Sequence, residues 1–429
     1  MESTRVVSTT DQSVTIELTI PFGKSMLASE DIIQQKLNEA GVLATGKVLE
    51  RFDTDGSPIM IGDTKWTSKG KIEKFYQTVY GEVPIERHVY QSPKGGRIFC
   101  PLERDARIIL TATPRFAKVL SSKYSEFGSS RVITDLANNH GREVARSFVQ
   151  NVCDAIGAVA FAKEENWNYA IPELEKPVKT VSVGLDGTCM LVTEDGFRET
   201  MVGTIAMYDK DGERLHTIYT AAAPEYGKTS FLARLDQEIN QVKTKFPSAH
   251  YVGLADGAKS NWEFLTSRTE TQLVDFWHAA GYLGRASEVM FQGKGEHAEK
   301  KEWLENSCHD LKHKQRSAGR ILTEIETFRD EKKLKKDDKE EIEAVVTYLQ
   351  NNKSKMNYAN AIEQSLPIGS GVTEAACKVI VKQRLCGAGM KWGERGAAVV
   401  LSLRSLNYTV GRWDQFWGKI DQYGFPLAA

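Results

Sequence analysis

Three carboxylates stand out by their settings. Asp186 closes the apolar run Thr180-Val181-Ser182-Val183-Gly184-Leu185 and precedes Gly187, and Asp256 closes His250-Tyr251-Val252-Gly253-Leu254-Ala255 and precedes Gly257. An acid at the end of a sheet strand is held rigidly and faces the crevice where a ligand approaches. Asp-Gly after a strand is also an ordinary turn, so the pairing says more than either residue alone. Glu374 follows Gly369-Ser370-Gly371 at the start of a helical run, at helical spacing from Lys378 and Lys382. Taken alone it reads as an acid favoured by the helix dipole, with the lysines as i,i+4 partners. Three carboxylates converging on one point repel one another unless divalent cations lie between them, and oxygen ligands with few other donors suit Mg²⁺ or Mn²⁺. Two such ions can activate an attacking oxygen and stabilise a leaving one during phosphodiester displacement.

Secondary features surround this set. Asp275 and His278 stand at i and i+3 of a predicted helix, as an auxiliary pair or as a structural helix-helix hydrogen bond. His309 and His313 beside Cys308 have metal-ligand spacing but lack a second cluster. Trp392, after the break Cys386-Gly387-Ala388-Gly389, suits stacking on an unpaired base as well as a place in the core. The six cysteines are scattered without a CxxC pair and read as buried or idle thiols.

The elements that would position these groups follow from periodicity. Val14 to Ile20 alternates as a strand, Ser29 caps a helix running to Leu49, and Lys74–Tyr80 with Ile85–Tyr90 forms a hairpin. Residues 131–149 read as two short helices around Gly141, a helix-turn-helix-like unit whose Arg142, Arg146 and Gln150 would face DNA; any αα-hairpin has the same pattern. Strands at Thr180–Asp186, Met201–Tyr208 and Leu215–Thr220, a helix over Phe231–Phe246 and a strand at 250–256 give the order β-β-β-α-β. That order lets the first and fourth strands lie side by side, with both aspartates at one edge. The expected domains are an α+β region over 1–110, a helical unit over 111–162, a linker over 163–179, an α/β core over 180–275, an all-helical insertion over 276–365, and the rest of the core with C-terminal helices over 366–429.

Composition sets the outer bounds. At 429 residues, 41% hydrophobic and 26% charged, the chain has enough apolar material for several cores and excludes disorder, a disulfide scaffold and a collagen-like repeat. The net charge of -1 hides local excess: Leu366–Arg412 has seven basic and two acidic residues, and Asp63–Lys118 has eleven and six, which is +5 in each. Those are the stretches expected to meet phosphates. The polar start lacks a secretion signal, and no apolar run approaches membrane-helix length, so the chain reads as a soluble intracellular protein.

Residues 180–410 resemble a DDE transposase with an RNase H-like core, of the bacterial insertion-sequence type grouped with the ISKra4 family. The resemblance rests on Val183-Gly184-Leu185-Asp186-Gly187-Thr188, Val252-Gly253-Leu254-Ala255-Asp256-Gly257, Asp275-Phe276-Trp277-His278, Leu366-Pro367-Ile368-Gly369-Ser370-Gly371-Val372-Thr373-Glu374 and Gly387-Ala388-Gly389-Met390-Lys391-Trp392, in that order. It implies a mixed five-stranded sheet with the first Asp on the first strand, the second just past the fourth, the Glu on a late helix, and an all-α insertion between the last two. It also implies catalysis by Asp186, Asp256 and Glu374 with two Mg²⁺ or Mn²⁺ ions, terminal inverted repeats and target DNA as partners, and a homodimer or larger assembly on DNA in the bacterial cytoplasm at the nucleoid. Lys378, Lys382, Arg384, Lys391 and Trp392 are the DNA contacts expected near that centre. Competing readings are a catalytically silent DNA-binding descendant and a nuclease without strand transfer.

Overall fold

The computed structural model describes residues 4–164, 166–225, 228–293 and 295–425. The chain forms two compact units: one holds the chain up to Tyr169 with Ala398–Asn407 and the residues from Arg412 onward, and the other holds Ala170–Ala397 with Tyr408–Gly411. The boundary falls inside the expected linker.

In the N-terminal unit, β1 (Thr4–Thr9) pairs with β2 (Val14–Leu18), and β3 (Ile59–Ile61), β4 (Thr64–Gln77) and β5 (Glu82–Gln91) form an antiparallel sheet. Ser25, not Ser29, caps the 25-residue helix Met26–Glu50, because its hydroxyl accepts from the Ala28 N–H at 3.2 Å. The helix-turn-helix-like segment becomes helices Ser129–His140 and Arg146–Lys163, joined through Gly141 at φ 59°. Arg404, on helix Glu394–Tyr408, is only 1% exposed; it donates to the Ser125 carbonyl and to Glu126 Oε2 at 3.2 Å, tying the returning C-terminal chain into this unit.

The second unit is built on a five-stranded mixed sheet in the order β10-β9-β6-β7-β8. Its strands are β6 (Thr180–Val192), β7 (Gly196–Tyr208), β8 (Arg214–Ala222), β9 (His250–Ala255) and β10 (Thr271–Val274). The first and fourth of these, β6 and β9, are parallel neighbours, as are β9 and β10, while β7 and β8 run antiparallel. After His250, β9 is apolar because both its faces are covered: Tyr251 and Ala255 join the large core, Val252 and Leu254 a smaller one with Leu273 and Leu366. Helix Thr229–Lys245 buries Phe231, Leu235, Ile239 and Val242 at 3–4-residue spacing in the large core.

One expectation changes here. Asp186 does not end its strand: β6 continues to Val192 because β7 keeps pairing past it, through Asp186↔Val202 to Val192↔Gly196. Thr271–Val274 is a strand, supported by β9 alongside it, before the helical stretch begins at Phe276. That stretch then holds helices Phe276–Met290, His297–His313, Ser317–Glu331, Lys336–Asn352 and Tyr358–Glu363. No described helix is long and apolar enough to cross a membrane.

Candidate functional site: an acidic centre at the sheet edge

The β6–β9 register runs from Thr180↔His250 to Gly184↔Leu254, a constant offset of 70 residues. Asp186, two residues past the last of these pairs on β6, and Asp256, just beyond the end of β9, come near enough for the Asp256 charge to act on Asp186. Asp186 Oδ1 accepts from the Gly187 N–H at 2.7 Å, and Asp256 Oδ1 accepts from the Ala258 N–H at 3.1 Å and from Asn261 Nδ2 at 3.4 Å. Gly257 adopts φ +112°, and a Cβ there would lie 3.0 Å from the Tyr348 ring. That space lets helix Lys336–Asn352 approach, and the Tyr348 hydroxyl donates to the Asp256 carbonyl at 3.2 Å.

Glu374 reaches the same edge through the residue before it. Thr373 is 2% exposed, and its hydroxyl bonds that of Thr204 on β7 at 2.7 Å. On β6, a Cβ added to Gly184 would sit 2.1 Å from Thr373 Oγ1. The absence of a side chain at Gly184 is thus what seats the Glu374 helix on the sheet. Past Ala376 this helix becomes π-helical over Cys377–Lys382. The wider turn changes the angular step from Glu374 to Lys378 and Lys382 from that of an α-helix.

The charges interact. Burial pushes the Asp186 carboxyl above its usual range, the Gly187 N–H opposes this, and the negative charges of Asp256 and Glu374 raise it further. Cys377, read from sequence as idle, is buried with its thiol 3.6 Å from Asp186 Oδ2 as donor; burial first, and then the Asp186 charge, push that thiol upward. The one-turn spacing of Cys377 from Glu374 was the available signal.

Asp275 is wholly buried at the N-cap of helix Phe276–Met290. Its Oδ1 accepts from the His278 N–H at 2.7 Å, and its Oδ2 accepts from the Ser370 N–H and, at 3.0 Å, from Ser370 Oγ. Burial opposes its ionisation, but hydrogen bonds from His278 and Ser370 prevail and hold the carboxyl down to about 2. His278 Nδ1 lies 3.4 Å from Asp275 Oδ1 and 3.6 Å from Glu374 Oε1. Its hydrogen bond to Asp275 raises the imidazole above its usual value against some burial, and the charges of Asp275, Glu374 and Asp256 add to this. Ser370, which sequence reading treated only as part of a glycine-flanked turn, also approaches Glu374 Oε1 at 2.9 Å and so joins the two acids.

Ligand atoms of Asp275, His278 and Glu374 lie within 4.8 Å of one another, close enough among the described residues to hold a cation. Asp275 is a poor ligand within this group, since both its oxygens already accept hydrogen bonds. Asp186, Asp256 and the half-exposed Glu374 keep more lone pairs open.

The residues expected to meet DNA divide sharply. Arg142 is buried, donating to the Thr78 carbonyl at 3.1 Å and to Gln77 Oε1 at 2.7 Å, and so is not a surface contact. Arg384 is 3% exposed, with its guanidinium 5.0 Å from the Trp392 ring centre. Trp392 is itself half-buried, donating to the Leu385 carbonyl at 2.9 Å and bridging by backbone to Leu191 and Thr193. Arg404 and Arg412 are buried too, so the local +5 of that stretch overstates its surface charge. Arg146, Gln150, Lys378, Lys382 and Lys391 are exposed.

Comparison of the chain with protein-family models and with curated proteins finds no match.

Proposed function

We propose that the chain is a DNA transposase of the DDE type, with an RNase H-like core, acting at Asp186, Asp256 and Glu374. The observation that supports this reading is that acids from a first strand, just past the end of a fourth and on a late helix come near enough for the charges of Asp256 and Glu374 to act on Asp186. The wide spacing of these residues in sequence makes their convergence informative. Burial, and after it the charges of Asp256 and Glu374, raise the Asp186 carboxyl, a strain that a hard divalent cation would relieve, and two Mg²⁺ or Mn²⁺ ions held by Asp186, Asp256 and Glu374 are part of this proposal. Among the described residues the group whose ligand atoms already lie within 4.8 Å of one another is Asp275, His278 and Glu374. Bound there, the metal would supply Lewis-acid stabilisation of charge on phosphate oxygens.

The protein's own contribution is positional. Gly187, Ala258 and Asn261 orient the two aspartates, Thr373 on Gly184 sets the Glu374 helix, and Asp275 holds His278 and Ser370 against Glu374. His278 places Nδ1 at the edge of the centre, 3.6 Å from Glu374 Oε1, where the neighbouring acids favour its protonated form. Water would attack a phosphodiester at the element's end, freeing a 3′-OH that attacks target DNA. The N-terminal unit, with Arg146 and Gln150 exposed beside the Gly141 turn as a helix-turn-helix-like element, would bind the terminal inverted repeats. Joining two ends calls for a homodimer or larger assembly on DNA.

Cleavage and joining assays on the repeats that flank the reading frame test this, with Asp256→Ala as control. Nicking and joining in Mg²⁺ or Mn²⁺, lost in the variant, is the expected result. Binding of the repeats without either reaction would leave a silent DNA-binding protein, and nicking without joining would leave a nuclease.

A further inference from the structure

Helix Met26–Glu50 is tied to the N-terminal unit along one side. Val42, Gly46 and Leu49 face β5: Leu49 is buried with Val83 and Ile85, and a Cβ added to Gly81 would lie 2.4 Å from Val42 Cγ2. Beside them Asn38 donates to the His140 carbonyl at 3.0 Å and Glu39 accepts from the Thr4 hydroxyl at 2.9 Å. On the opposite side Met26, Ile33, Leu37, Ala44 and Val48 follow one another at steps of 7, 4, 7 and 4 residues. Eleven residues make almost three whole turns, so this stripe runs nearly straight along the helix for about 33 Å. Its four large members, with Phe22 and Leu27 at the N-terminal end, are 37–96% exposed. At roughly 100 Å² each, these six side chains present on the order of 600 Å² of apolar surface. That matches the largest apolar patch of a typical monomer, about 300–600 Å², and meets the ~500 Å² per copy that a specific interface of about 1,000 Å² requires.

The stripe complements itself when reversed. Its N-terminal half carries the large Met26, Ile33 and Leu37, and its C-terminal half the small Ala40 and Ala44. An antiparallel second copy sets large against small, whereas a parallel one sets large against large and leaves the alanines facing across a gap. The charges agree. Exposed Glu30 borders the N-terminal half and exposed Arg51 caps the C-terminal end, so reversal brings opposite signs together while parallel pairing sets like against like. We infer that two copies of this chain associate through the Met26–Val48 face of this helix, packed antiparallel about a two-fold axis near Leu37 to Gly41. This contact would serve the assembly that joining two DNA ends calls for, yet it rests on exposure, size and charge along the helix and not on the transposase reading.

Sedimentation velocity of the full-length protein without DNA, from about 1 to about 500 µM, tests this. A monomer–dimer equilibrium with a Kd of about 1–100 µM is expected, because the contact lies at the small end for a specific interface. Leu37→Glu and Val48→Glu change side chains that are exposed in the single chain, so melting curves should show both variants folded. Each should weaken the dimer at least about tenfold by burying a charge in it. Glu30→Arg should weaken it about threefold or more by meeting the partner's Arg51, and combining Glu30→Arg with Arg51→Glu should restore it. A protein that stays monomeric to about 500 µM, or a dimer indifferent to both glutamates, overturns the inference. So does a charge-reversed double variant that fails to recover, since the copies are then not antiparallel. Dimerisation without DNA cleavage sinks the transposase reading alone, and cleavage by a protein that stays monomeric sinks this inference alone.

Discussion

Gly184→Ala is the sharpest test of how the acidic centre is assembled. The new Cβ would lie 2.1 Å from Thr373 Oγ1, where ordinary contact begins near 3.4 Å, so the helix bearing Glu374 must back away by about 1 Å or Thr373 must leave its rotamer. Overpacking of this kind costs about 1–3 kcal/mol. Thr373→Ala alone should cost about 1–2 kcal/mol, because it strands the buried Thr204 hydroxyl. In the double variant the oxygen is gone, and the nearest atoms to the new Cβ become Thr204 Oγ1 at 3.2 Å and Thr373 Cβ at 3.3 Å, a contact that small shifts accommodate. The two losses should therefore fall short of adding by about 1–2 kcal/mol. Urea denaturation of the four proteins at matched m-values measures that coupling. Additivity within about 0.5 kcal/mol would refute the claim that Gly184 is the seat of the Glu374 helix.

Other perturbations read different parts of the same argument. The Asp275 carboxyl titrates near 2 rather than 3.8, so its ionised form stabilises the fold above pH 4 and that stabilisation is lost as pH falls through 2. The stability gap between wild type and Asp275→Asn should shrink by about 2 kcal/mol between pH 6 and pH 2, and a gap that does not change with pH would count against the hydrogen-bonded carboxylate. Mg²⁺ at ten times its Kd should stabilise the wild type by about 1.4 kcal/mol, seen as a raised Tm that Asp186→Asn and Asp256→Asn lack; equal shifts in all three would place the ion elsewhere. Arg404→Ala should cost about 1–3 kcal/mol in denaturant unfolding by leaving the Ser125 carbonyl without its buried donor, whereas exposed Lys391→Ala should stay within about 0.5 kcal/mol.

The sequence by itself determined what local chemistry dictates. The apolar runs ending near Asp186 and Asp256, the β-β-β-α-β order and the helical stretch after Phe276 follow from patterns of two and 3.6 residues, and all are present. Strand ends were less legible, since β6 runs on past Asp186 only because β7 is there to pair with it. Tertiary structure alone decided which charges are available. Arg142, Arg384 and Arg404 carry the same formal charge as Lys391, but packing turned them inward onto carbonyls, a carboxylate and an aromatic ring. It also decided that Ser370 and Cys377 reach the acids, and that the helix after Glu374 opens into a π turn. Periodicity describes a chain's own neighbours. The 70-residue offset that brings Asp186 near Asp256, and the missing side chain at Gly184 that admits Thr373, arise from contacts between segments that no local pattern encodes.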